Sequence, residues 1–231
     1  FDPANWSPSG APNAQTTAVF SSSTGGQVLV SAAGTVQGIQ FMPSSGLYLV
    51  SGSSFLTIGS GGISSSSISA QQVSAPLSFL SGVTPVNVNG TGSLTLSGAI
   101  QLSSSQGTLA LGGSGTGSGS LSGVVSGLGA VRVQSGSWML SGTNTFTGGT
   151  TVTGGTLRLG GNGALPANGS VVLDPVFGGS ATLDTNGVST AAIGSLTFRG
   201  SGGAVSTVTG GGTLNLGGSV FFNAASQPGP A

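Results

Sequence analysis

Gly136–Gly161 reads GSWMLSGTNTFTGGTTVTGGTLRLGG. Trp138 and Leu140, and again Leu157 and Leu159, are apolar side chains two residues apart, which is the period of a strand with one buried face and not that of a helix. The same short unit, a glycine followed by alternating apolar and small polar residues, recurs as GSLTLSG at Gly92–Gly98, GTLALGG at Gly107–Gly113 and GTLNLGG at Gly212–Gly218. Weaker copies run over Gly46–Val50, Phe55–Ile58 and Ser195–Phe198. From Leu94 to Leu109 the step is 15 residues, from Trp138 to Leu157 it is 19, and from Leu196 to Leu214 it is 18. Periods of this size predict a solenoid.

The connections are rich in Gly-Gly, Ser-Gly and Asn-Gly, among them Asn89-Gly90, Asn162-Gly163, Asn168-Gly169 and Asn186-Gly187. Such residues tolerate positive φ and turn corners. Asn-Gly is also a hairpin signal, so an antiparallel β-sandwich or barrel is the alternative fold. A single-stranded parallel β-helix is preferred because the likeness is between successive single turns of chain. At about 19 residues per turn and roughly 4.8 Å between rungs, the chain would make about 12 rungs and a rod some 55 Å long. One solenoid domain is expected over residues 1–231, with 1–20 as an N-terminal cap or assembly arm and 219–231 as a C-terminal cap. Gly112–Ser120 is the best candidate for a loop leaving the coil.

Composition excludes much chemistry. Only six of 231 residues are charged, Asp2, Asp174, Asp184, Arg132, Arg158 and Arg199, and the chain has no Lys, Glu, His or Cys. Without them there is no histidine base, thiol nucleophile, Schiff-base lysine or glutamate acid, so no enzymatic activity is expected. Zinc and other transition-metal sites, and cofactors generally, are not expected either. Three cations cannot form the basic stripe that nucleic acid requires. Yet hydrophobic residues make up 36% of the chain, which argues against disorder. No apolar run approaches the roughly 18 residues of a membrane-spanning helix, so membrane insertion is not expected. The chain opens at Phe1 and not at Met, which suggests export with the signal peptide already removed.

From Ser120 to Leu159, and most densely over Leu140–Leu157 (LSGTNTFTGGTTVTGGTL), the chain resembles the autotransporter-associated β-strand repeat, also called the passenger-associated transport repeat. Asn5-Trp6-Ser7 through Ala18-Val19-Phe20 is similar to the entry segment of such passengers. The resemblance implies a right-handed β-helix, exported to the surface of Gram-negative bacteria, usually within a long passenger that carries a C-terminal translocator barrel. It supplies no catalytic residues.

Asp174 and Asp184 are ten residues apart, about half a turn, and are read as turn caps or as partners of Arg158 and Arg199 in preference to a catalytic or Ca²⁺ pair. The two ends are more informative. A solenoid leaves an unpaired rung at each end, which must be capped or joined to a neighbour. Phe1, Trp6 and Phe20 at one end, and Phe221 and Phe222 at the other, are the candidate assembly interface. The expectation is a structural protein that stacks head to tail with itself into an extracellular fibre, surface layer or biofilm. The alternative is an adhesin passenger, with cell-surface or matrix polysaccharide as the further candidate partner. Tyr48 and Trp138 are its candidate contacts, although their alternating positions fit the core better.

Overall fold

In the computed structural model every element among the described residues is a β-strand, and every strand pairing among them is parallel. The structure describes residues 13–80, 82–190 and 192–224. Phe1 and Trp6, with the N-terminal part of the expected cap and residues 225–231 of the C-terminal one, lie outside that range.

The strands form a coil with three faces. The first face is a nine-stranded sheet of β2 (Gly26–Val30), β4 (Tyr48–Gly52), β6 (Gln71–Val73), β9 (Leu94–Leu96), β12 (Ser118–Leu121), β15 (Ser137–Leu140), β17 (Gly155–Leu159), β19 (Ser180–Asp184) and β21 (Val205–Thr209). On the second face β1 (Thr17–Phe20) is followed by the latter halves of β3 (Gly34–Phe41) and β5 (Leu56–Ser65). Beyond these lie β8 (Val83–Val88), β11 (Thr108–Gly112), β14 (Ala130–Val133), β16 (Thr150–Val152), β18 (Ser170–Leu173), β20 (Ser195–Gly200) and β22 (Val220–Ala224). The third face takes the first halves of β3 and β5, then β7 (Leu77–Phe79), β10 (Ile100–Leu102) and β13 (Val125–Gly127). β3 and β5 bend across the corner, with a register irregularity between Val36 and Gly38, so the second and third faces share a single 13-stranded sheet.

The solenoid expected from the sequence is therefore present, and the antiparallel alternative is not. The rung count needs correction. The coil makes about nine turns, not about 12, because one turn takes 19 residues only in places such as Trp138 to Leu157; from Gly155 to Ala181 it takes 26. Ten strands on the second face give a rod of about 43 Å instead of 55 Å. The misjudged period has a physical cause. Leu94 lies on the first face and Leu109 on the second, so the 15 residues between them measure part of a turn. Residues 112–120, expected to leave the coil, instead run from the last residue of β11 into β12 and supply the first three residues of that first-face strand, Ser118–Ser120.

Alternation sends every second side chain into the lumen, where equivalent positions stack. On the second face, Ala18, Ile39, Ile63, Val86, Leu111, Val133, Val152, Leu173, Phe198 and Phe222 follow one another in register. The column is apolar throughout, as burial without a polar partner demands. On the first face the matching column is Gly26, Tyr48, Gln71, Leu94, Gly119, Trp138, Leu157, Leu183 and Val208. Its two largest side chains each neighbour a glycine. A Cβ on Gly119 would fall 2.2 Å from the Trp138 ring, so the indole occupies the space that the missing side chain leaves.

Gln71 is the one polar member of that column, and its amide is fully used. The side-chain oxygen accepts from Tyr48 N at 2.9 Å, and Nε2 donates to Gly46 O at 2.8 Å and Ser67 Oγ at 3.0 Å. Two buried hydroxyls, Ser65 Oγ and Thr150 Oγ1, have no hydrogen-bond partner.

Candidate functional site

The residues expected at the two ends are placed very differently. Phe20 closes β1 with its ring 5.1 Å from Phe41 and 4.9 Å from Tyr48, and only 6% of it is exposed. It belongs to an aromatic cluster inside the first turns, where Tyr48 is buried as well. Phe222, by contrast, ends the apolar column of the second face. Its ring stacks on Phe198 at 5.0 Å and 6°, yet 79% of the residue is exposed. Phe221 alternates with it and is 53% exposed. Val220 and Leu216 extend the same apolar edge, the latter on a strand-like bridge to Ile193. The structure thus brings Phe221 and Phe222 together and puts Phe20 at the opposite end of the ten-strand face.

The carboxylates are engaged singly. Asp184, in β19 on the first face, lies 3.3 Å from Arg158 Nε, and its Oδ1 accepts from Asn186 N at 2.8 Å. Asp174, just after β18 on the second face, lies 3.8 Å from Arg199. Both expectations for these residues, a turn cap and an arginine partner, are met at Asp184, and the second is met at Asp174. The pairs are partly solvated, so each contributes at most about 1 kcal/mol. Among the described residues no three Asp, Glu, His or Cys side chains come together.

A groove of about 540 Å³ opens on the third face between residues 143–147 and 163–169. Below it the ladder is intact: Thr145 N donates to Val125 O at 2.8 Å and Thr147 N to Gly127 O at 3.0 Å. Above it lies Leu165-Pro166-Ala167, where Pro166 has no N–H to offer the rung beneath. The two sides are joined at one edge by Asn144. Its N donates to Gly163 O at 2.9 Å and its Nδ2 to Ala164 O at 2.7 Å, while its Oδ1 accepts from Val125 N at 2.8 Å. One buried asparagine therefore ties three successive rungs. Sequence reading missed this residue, and Gln71 with it. For Asn144 the available signal was a lone amide between small polar residues in the densest repeat; for Gln71 it was a polar residue two before an inward valine. The groove is lined mainly by apolar surface with threonine hydroxyls around it, which suits binding and offers no acid, base or nucleophile with a partner.

Stacked parallel rungs around an apolar lumen define the class, a parallel β-solenoid. Residues 134–159 match the model of the passenger-associated-transport-repeat. The chain therefore carries this repeat, as the resemblance implied. The matched segment runs from the end of β14 to the end of β17 and contains the full 19-residue turn from Trp138 to Leu157, Asn144 included. No curated protein and no solved structure gives a significant match. The repeat suggests an autotransporter passenger domain, and with it a secreted or cell-surface location. Among the described residues no helix is long and apolar enough to cross a membrane.

Proposed function

We propose that this chain is a non-enzymatic structural subunit that stacks head to tail through its solenoid edges into an extracellular fibre or surface layer. The observation that carries the reading is the end of the second-face column, which no described strand covers and where Phe222 sits stacked on Phe198 but 79% exposed. A further rung from a second copy would cover that ring, Val220 and Leu216, and would pair the edge of β22 that no described strand takes. Contacts of this kind are heterologous and do not close, so they build filaments. No metal or cofactor enters the reading, nor does nucleic acid.

The test is negative-stain electron microscopy and light scattering of the chain beside Phe222→Ser and Phe221→Ser/Phe222→Ser variants. Fibres from the parent that are lost in the variants support the proposal. Single rods of about 43 Å from all three overturn it.

A second reading, an adhesin passenger binding through its side, draws on the groove beside Asn144. Retention of matrix polysaccharide by the parent, lost when Thr145 and Thr147 are replaced by bulky residues, favours that reading.

A further inference from the structure

We infer that Asn162 is a site of spontaneous deamidation, which loosens the rim of the third-face groove as the protein ages. In an Asn-Gly step the small residue lets its backbone nitrogen reach the asparagine side chain, which makes such steps chemically labile. The glycine nitrogen attacks the side-chain carbonyl carbon. A new C–N bond forms, the amide C–N bond breaks, and the amide group leaves as ammonia with the proton that the glycine nitrogen gives up. Water then opens the cyclic imide to aspartate or to isoaspartate. No oxidant or reductant is needed.

The chain contains four Asn-Gly steps, and the fold treats them unequally. At Asn89 the side-chain oxygen accepts from Ser114 N at 3.1 Å, and the Gly90 nitrogen is committed to Ser65 O at 3.1 Å. At Asn168 the backbone is held at φ 61°, and the Gly169 nitrogen donates to Pro166 O at 3.1 Å. At Asn186, also left-handed at φ 51°, both ends of the side chain are tied: Oδ1 accepts from Arg158, and Nδ2 donates to Leu159 O at 3.1 Å. Asn162 has none of these restraints. Its side chain is exposed, its φ is not positive, and the Gly163 nitrogen donates to no acceptor.

Its position gives the reaction a consequence. Gly163 O is the acceptor for Asn144 N, and Ala164 O is the acceptor for the Asn144 side chain. Isoaspartate inserts a methylene into the main chain one residue before this junction. Either product also places a carboxylate beside the groove and takes the formal net charge from zero to −1.

The test is incubation of the intact protein in mildly alkaline buffer, with ion-exchange chromatography and peptide mapping by mass spectrometry, alongside the same protein in concentrated urea. In the native state Asn162 should convert at least about tenfold faster than Asn89, Asn168 and Asn186, while in urea the four rates should converge. An Asn162→Gln variant, whose side chain remains solvent-facing, should stop the early acidic form from accumulating. The inference is overturned if another Asn-Gly step leads in the native protein, if the native ranking persists in urea, or if the acidic form persists in the variant.

Discussion

Gly119→Ala should destabilise this protein strongly. The new Cβ would lie 2.2 Å from Trp138 Cε3 and Cζ3 and 2.5 Å from Cη2, whereas carbon atoms in contact settle at about 3.5–4.0 Å. Trp138 is only 1% exposed and is held between neighbouring rungs, so the ring cannot swing into solvent without leaving the lumen. Overpacking of this kind costs about 3 kcal/mol, the upper end of the usual range. Trp138→Leu alone leaves a cavity and should cost about 2–3 kcal/mol. In the double variant the methyl fills part of that cavity, so the loss should be no greater than for Trp138→Leu alone, a coupling of about 3 kcal/mol. Urea unfolding followed by far-UV circular dichroism measures all four corners of the cycle. Hydrogen exchange should place the Gly119→Ala loss first in β9, β12 and β15, since a solenoid rung contacts only its neighbours. Strictly additive effects, or a cost below about 0.5 kcal/mol for Gly119→Ala, would refute the size-matching account of this column.

Other positions give further checks. Thr150→Val replaces a buried hydroxyl that has no partner by a methyl group of similar size, and should stabilise the protein by about 1 kcal/mol in the same unfolding assay. Gln71→Ala strips buried Tyr48 N and Gly46 O of their partner and should cost about 3 kcal/mol, with exchange protection falling around β4 and β6. Asn144→Ala cuts the tie between three rungs; a loss of about 2–3 kcal/mol is expected, with faster exchange at Val125 N than at distant rungs.

How far the sequence could be read follows from what a period of two reports. Alternation such as Leu94/Leu96 or Trp138/Leu140 marks which side chains point inward, and these are indeed buried. It says nothing about which face a strand joins. The GTLxLGG unit serves the second face at Leu109 and the first at Leu157, so distances between copies mix whole turns with fractions of turns. Glycine-rich corners of unequal length hide the true period further. The burial of Phe20 has a related reason. Phe20 lies near prolines and close to the start of the chain, which suggested an exposed end, but its alternation with Ala18 already placed it inward. The signals at Asn144 and Gln71 were weak, because a polar residue reveals an inward role fully only once the rungs above and below it are known.

The unequal turns carry one last implication. Between 19 and 26 residues complete a circuit while the inward columns of the first and second faces keep their register, so the surplus is absorbed in the segments that connect those two faces. Insertions and deletions there should pass through the lineage of such a protein almost unselected, and whole circuits should be gained or lost by duplication. The same slack makes these segments natural places to graft a foreign peptide, displayed every few ångströms along a rigid shaft whose interior never registers the change.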